Sequence, residues 1–126
     1  MNIIISNSSQ EAIYEQIERQ IKSLIIKGDL SAGDNLPSIR SLAQELQISV
    51  ITTKRAYEEL ERDGFIETVP GKGSFISGQN KELIREKRLK MIEESLAQAV
   101  CEARDLNLSL NDLKKMLSIL YEEERL

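Results

Sequence analysis

Only Gln47 and Ile48 stand between two short segments of helical periodicity, and this connection constrains the fold more than any other feature of the chain. The first segment opens at Ser38, directly after Pro37; a serine there can accept from the free N–H groups of a first turn. Ile39, Leu42, Ala43 and Leu46 then mark one apolar stripe. The second segment opens near Ser49 and runs to about Asp63, where Gly64 stops it. Thr53, Ala56 and Leu60 supply its inward face, with Tyr57 beside them. Two short helices joined this tightly must cross steeply, which is the helix-turn-helix arrangement.

The flanks extend this reading. From Glu11 to Lys27, Ile13, Ile17, Ile21, Leu24 and Ile25 recur at intervals of three and four, and Gly28 follows as a C-terminal signal. Gly28 to Pro37 is turn-rich. Beyond Gly64, Phe65–Val69 and Ser74–Ser77 are rich in β-branched and aromatic residues, with Pro70-Gly71-Lys72-Gly73 between them, so a β-hairpin is expected. A hairpin directly after a helix-turn-helix is the wing of a winged helix.

After Gly78 neither Gly nor Pro occurs again. A helix is expected from near Asn80 to about Leu106, with Leu89, Ile92, Leu96, Ala99, Ala103 and Leu106 forming a heptad-like seam. Ser109 and Asp112 resemble a capping box, although Glu is the better partner at that position. Leu110, Leu113, Met116, Leu117 and Leu120 share one face of a last helix. Two helices alone cannot bury such stripes, and the simplest cover is the same pair from a second subunit. The expected fold is mainly α with a small β-hairpin: a winged helix-turn-helix DNA-binding domain over 1–78 and a helical dimerisation tail over 79–126. Leu89, Ile92, Leu96, Ala99, Ala103, Leu106, Leu113, Leu117 and Leu120 are its expected dimer interface.

Composition narrows the chemistry. The 126 residues include no histidine, which removes the commonest general base and transition-metal ligand. Two Phe and no Trp leave little for an aromatic cofactor pocket. An enzyme is disfavoured, and no cofactor or metal is expected. No apolar run approaches the ~18 residues of a membrane span, and Met1–Ser9 lacks the pattern of a secretory leader. Cys101 is the single cysteine, so no intrachain disulfide can form and a reducing cytoplasm is expected. The net charge of −4 argues against a basic nucleic-acid coat, but not against a protein whose cations gather on one face.

A winged helix that grips DNA needs small, polar or cationic residues on the outward N-terminal turn of its second helix, and cations at its edges. Ser49, Val50, Ile51, Thr52, Lys54 and Arg55 lie outside the core stripe. Ser49 and Thr52 suit base edges or phosphates; Val50 and Ile51 offer only apolar contacts, for instance to a thymine methyl. Arg40 opens the preceding helix beside Ser38, and Lys72 tops the hairpin between Gly71 and Gly73. Taken singly, each cation has an ordinary alternative. Arg40 and Lys72 can be surface charges, and Lys54 and Arg55 can pair with Glu58 and Glu59 at i,i+4. The order of the elements, with a cation on each outward feature, favours DNA.

The run from Gly33 through Asp34-Asn35-Leu36-Pro37-Ser38-Ile39-Arg40-Ser41-Leu42 to Ala43 resembles the signature of GntR-type transcription regulators. So do Thr52, Ala56-Tyr57, Leu60, Gly64 and Gly71-Lys72-Gly73-Ser74-Phe75, and Ile13-Tyr14 with Gln16-Ile17 resembles the family's opening helix. The matches span about residues 11–77, and the short two-helix tail resembles the YtrA-type subfamily. The resemblance implies a homodimeric, DNA-binding regulator, usually a repressor, whose partners are operator DNA, a second copy and, in some members, a small-molecule effector. It places DNA contacts on Arg40, on Ser49, Val50, Ile51 and Thr52, on Lys54, and on Gly71 and Lys72. Many relatives carry a polar or cationic residue where Val50 or Ile51 stands, so the operator is not legible from the resemblance. The competing function is a winged-helix module that holds protein partners.

Four other groups have ordinary readings beside any functional one. Glu93-Glu94, Glu102 and Asp105 are expected to be solvated charges, not an ion site. Cys101 is expected to be a partly buried small residue. Lys81, Arg85, Lys87, Arg88 and Lys90 form either a solvated face balanced by Glu82 and Glu86 or a phosphate contact near the wing. Glu122-Glu123-Glu124 is expected to be a solvated end.

Overall fold

The structure is a computed structural model that describes residues 1–123. Glu124, the last of the acidic run, lies outside them. Five helices and one hairpin follow in order: α1 (Ile13–Lys27), α2 (Ile39–Leu46), α3 (Val50–Arg62), β1 (Ile66–Val69), β2 (Gly73–Ile76), α4 (Lys81–Asp105) and α5 (Leu110–Glu123). This is a winged helix-turn-helix followed by two further helices. The chain forms two compact units, one from Met1 to Arg88 and one from Leu89 onward. The first reaches past Gly78 because Ile84, on the opening turn of α4, packs against its core.

In the first unit α3 is the central element, touching α1, α2 and β1. Ile17 and Ile21 from α1, Leu42 from α2, Leu60 from α3 and Ile66 from β1 are fully buried. Each such burial contributes roughly 1.5–3 kcal/mol. That exceeds what intrinsic propensity gives a helix as short as α2.

The tight connection between α2 and α3 is made by Gln47, which adopts a left-handed conformation with φ 56°. The Gln47 N–H donates to the Gln44 carbonyl at 3.3 Å and the Ile48 N–H to the Ala43 carbonyl at 3.0 Å. These bonds close α2 and turn the chain into Ser49 within one residue. Serines cap both helices: Ser38 Oγ accepts from the Ser41 N–H and Ser49 Oγ from the Thr52 N–H, each at 3.1 Å.

β1 and β2 pair antiparallel, with Ile66 opposite Ile76 and Val69 opposite Gly73. β1 begins one residue later than expected and ends at Val69 as expected, β2 begins and ends one residue earlier, and the Ser77 N–H still reaches the Phe65 carbonyl at 2.9 Å. The Lys72 N–H donates to the Val69 carbonyl at 2.9 Å, with Pro70 and Gly71 at the centre of the turn and Gly71 at φ 80°. Pro then Gly is what a type II turn requires, since its third residue must take a positive φ.

Three features of this unit were not legible beforehand. The turn-rich stretch before α2 joins the hairpin as a short third partner. Asn35 bridges Phe75, the Leu36 N–H reaches the Ser74 carbonyl and the Ile76 N–H reaches the Asp34 carbonyl, both at 2.9 Å. The N-terminal segment is gripped by two glutamines one turn apart on α1. Buried Gln16 accepts from the Ser6 N–H at 2.8 Å and donates to the Ser6 and Glu11 carbonyls at 2.9 Å. Gln20 accepts from the Ile4 N–H at 2.9 Å and donates to its carbonyl at 2.7 Å. Each amide thus acts as a strand partner, and Ile3, just before the held residues, enters the core.

The third feature is Tyr57. Its phenol donates to the Pro37 carbonyl at 2.7 Å, fixing the entrance to α2 onto α3. Burial pushes this phenol's pKa well up, so it stays a donor. Tyr57→Phe keeps the ring and leaves the Pro37 carbonyl without this donor. The expected cost is about 1–3 kcal/mol of unfolding free energy, measured by urea denaturation. An unchanged midpoint would show that water replaces the phenol.

In the second unit, α4 ends as Asn107 turns left-handed at φ 57° and the Leu108 N–H reaches the Ala103 carbonyl at 2.9 Å. The capping box forms with Asp: the Asp112 N–H donates to Ser109 Oγ at 3.1 Å, and the Ser109 N–H donates to the Asp112 carboxylate at 2.9 Å. That backbone donor holds the Asp112 carboxyl below its usual range. Ala103 departs from the seam read by spacing. It is 4 % exposed within the single chain, so little of it remains for a second subunit. Cys101 is exposed, not partly buried, because its position on α4 lies away from Ala103.

Candidate nucleic-acid interface

Thr53, Ala56, Tyr57 and Leu60 are buried on one side of α3. This fixes the helix's rotation and turns its other side outward. Ile51, Lys54, Arg55, Glu58, Glu59 and Arg62 line a shallow, open depression along that outer face. Two apolar residues stand at its start: Val50 is 47 % and Ile51 82 % exposed. No packing inside the unit accounts for an isoleucine so exposed on the first turn of a helix.

Ser49 and Thr52 form one local unit. Ser49 Oγ donates to Thr52 Oγ1 at 2.7 Å while it accepts from the Thr52 N–H. The Thr53 hydroxyl donates to the Ser49 carbonyl at 3.1 Å. The hydroxyls of Ser38 and Ser49 are therefore occupied in capping. Their geometry stiffens the N-terminal turns of α2 and α3, whose free N–H groups carry the positive end of the helix dipole.

The cations differ in how they are held. Lys54 Nζ lies 3.8 Å from Glu58 Oε1, and both side chains are well exposed, so this pair contributes little. Arg55 does not take Glu59. Its guanidinium lies 4.0 Å over the Tyr14 ring of α1, and Glu59 is taken by Arg62 at 2.8 Å. Arg40 on the first turn of α2 and Lys72 at the tip of the wing are exposed, and neither has an ion-pair partner among the described residues. Gly71 occupies the turn centre and Gly73 opens β2 at φ 104°, so no side chain flanks Lys72 on either side.

Elsewhere the charges serve the fold. Lys22 bridges Glu18 at 2.8 Å and Asp63 at 2.7 Å, tying α1 to the end of α3. Its hydrogen bond holds the Asp63 carboxyl below the usual carboxylate range. Among the described residues no group of acidic or cysteine side chains is arranged to hold a metal ion, and no helix is long and apolar enough to cross a membrane. Glu93, Glu94, Glu102 and Asp105 are all exposed on α4, as are Lys81, Arg85, Lys87, Arg88 and Lys90.

The sequence model of the bacterial regulatory proteins of the gntR family matches residues 13–76, from the first residue of α1 to the last of β2. The chain belongs to the GntR family. This GntR chain is 40% identical over 115 residues to the HTH-type transcriptional repressor YtrA of Bacillus subtilis, across 91% of this chain and 88% of that one. The likeness therefore runs on into the tail. Among solved structures, a transcriptional antiterminator from Listeria monocytogenes superposes with a TM-score of 0.63 at 33% identity, covering 96% of this chain and 90% of that one. YtrA from Sulfolobus acidocaldarius, a GntR-family transcription factor, gives 0.58 at 38% identity, covering 75% and 97%. The family and these relatives are transcription regulators and not enzymes.

Proposed function

We propose that this GntR-family regulator is a repressor that binds a two-half-site operator as a homodimer in the cytoplasm. The observation that carries this reading is the outward face of α3. Its N-terminal turn presents Val50 and Ile51 to solvent, backed by the capped Ser49–Thr52 turn. Such a turn fits the major groove, where an apolar side chain recognises the methyl group of thymine. Arg40, Lys54, Arg55 and Lys72 supply the surrounding phosphate or guanine contacts. Glu58 and Glu59 lie further along α3, and recognition helices read bases chiefly through their N-terminal residues.

The partner copy is inferred from the second unit. Leu89, Ile92, Leu96 and Leu106 on α4 and Leu117 and Leu120 on α5 are large apolar residues left exposed in the single chain. So many large apolar side chains left exposed mark an interaction site. Ala99 is exposed beside them and Leu113 is half-buried. Pairing would place two α3 helices at half-sites about one DNA turn apart, ~34–36 Å.

The test is a gel shift on the promoter DNA upstream of the protein's own gene at two salt concentrations. Binding that weakens steeply with salt supports the reading. Absence of any shift at low salt would overturn it in favour of a protein-interaction module. Lys72→Ala refines the test. If Lys72 meets a phosphate, the slope of log K against log salt becomes shallower by about 0.9. Parallel slopes for the two proteins would remove Lys72 from the interface.

A further inference from the structure

We infer that Tyr14, on α1 and outside the helix-turn-helix, is a positioning residue for DNA binding: its ring is the platform that holds Arg55 ready for a phosphate. This rests on the DNA-binding reading above. Three observations carry it. First, the Arg55 guanidinium carbon lies 4.0 Å from the Tyr14 ring centroid, a stacking distance. Second, the platform is itself anchored, since Tyr14 is half-buried and packed against the core. Third, Arg62 is paired with Glu59 at 2.8 Å, while Arg55 has no carboxylate partner among the described residues.

Stacking uses the face of the guanidinium and leaves its in-plane N–H donors open. A guanidinium held in this way keeps its hydrogen-bonding edge free for the two oxygens of a phosphate. An unsupported arginine must give up several rotamers to make the same contact. Immobilising one rotamer-rich side chain at an interface weakens binding by about 2- to 10-fold. Tyr14 removes that penalty before DNA arrives. Arg55 thus acts as a rigid phosphate clamp.

The experiment measures binding of the full chain to a short labelled duplex of mixed sequence, by fluorescence anisotropy across a salt series. A mixed sequence suffices because phosphate contacts need no operator. Arg55→Ala should lower affinity and make the salt slope shallower by about 0.9. Tyr14→Leu keeps an apolar side chain against the core and should lower affinity by about 2- to 10-fold while the slope stays near that of wild type. Tyr14→Phe keeps the ring and should bind as wild type does. The deciding variant is the pair Tyr14→Leu with Arg55→Ala, which should bind no more weakly than Arg55→Ala alone.

Additive losses in the double variant would overturn the inference, because Tyr14 would then act independently of Arg55. So would wild-type affinity in Tyr14→Leu, or an Arg55→Ala slope equal to that of wild type. Thermal melting of each variant separates a lost platform from a loosened fold: a Tyr14→Leu protein whose weaker binding follows a lower melting temperature counts against the inference. Failure of the wild-type chain to bind any duplex at low salt is a different result, and overturns the DNA-binding reading itself.

Discussion

Leu96→Asp is expected to sediment as a monomer, and the wild-type chain, if it pairs as proposed, as a dimer. Leu96 is 49 % exposed in the single chain and sits among Leu89, Ile92 and Leu106 on the exposed side of α4. In the proposed dimer this side is covered by the partner. Losing a buried leucine costs roughly 2–5 kcal/mol, and a twofold axis makes every substitution count twice. A carboxylate in the seam adds the penalty of taking an unpaired charge out of water. The first unit should be untouched, because Leu96 lies outside it. The melting transition of that unit, followed by the fluorescence of Tyr14 and Tyr57 in a Tyr121→Phe background, is the control. Operator affinity should fall with the dimer, since two half-sites bind cooperatively only when their readers are joined. A Leu96→Asp protein that remains dimeric would exclude α4 as the interface.

Arg40→Ala is expected to weaken operator binding by about 1–3 kcal/mol and to relax preference at one base pair. Arg40 is exposed on the first turn of α2 and has no ion-pair partner among the described residues, so its removal breaks no ion pair of the fold. Stability should therefore stay within about 0.5 kcal/mol of wild type. The measurement is a competition between the operator, found by footprinting on the organism's own DNA, and variants of it changed one base pair at a time. A uniform loss across all variants would assign Arg40 to a phosphate, and no loss would remove it from the interface.

The two predictions rest on different kinds of legibility. The helices of the first unit were readable because each is written twice, once in apolar spacing and once in its ends. Ser38 and Ser49 cap, Gly28 and Gly64 terminate, and Ile17, Ile21, Leu42 and Leu60 recur at one face. The wing was readable from Pro70-Gly71, because few backbones other than a type II turn suit that pair. The ladder that ties Asn35 and Leu36 to β2 was not, because it uses backbone groups and requires no particular side chain. Gln16 and Gln20 left a faint trace, two amides one turn apart beside the Ile17–Ile21 stripe, but amides at that spacing are also ordinary on a solvated helix.

The candidate site divides in the same way. Local spacing was enough to put Val50, Ile51, Lys54 and Arg55 on the outside of α3, since helical geometry depends on neighbours three and four residues away. It was also enough to name two possible carboxylates for Lys54 and Arg55. It could not choose between Glu59 and a tyrosine forty-one positions earlier in the chain, because that contact exists only once α1 has packed on α3. The same holds for Ala103, whose place in the repeat pointed to a partner subunit but which is buried within the single chain. Amino-acid order thus settled the helices, their caps, the wing turn and the rotation of α3, all products of short-range geometry. Packing between distant segments settled which cation is held, by what, and which apolar residues remain exposed, since those depend on where the chain brings its own surfaces together.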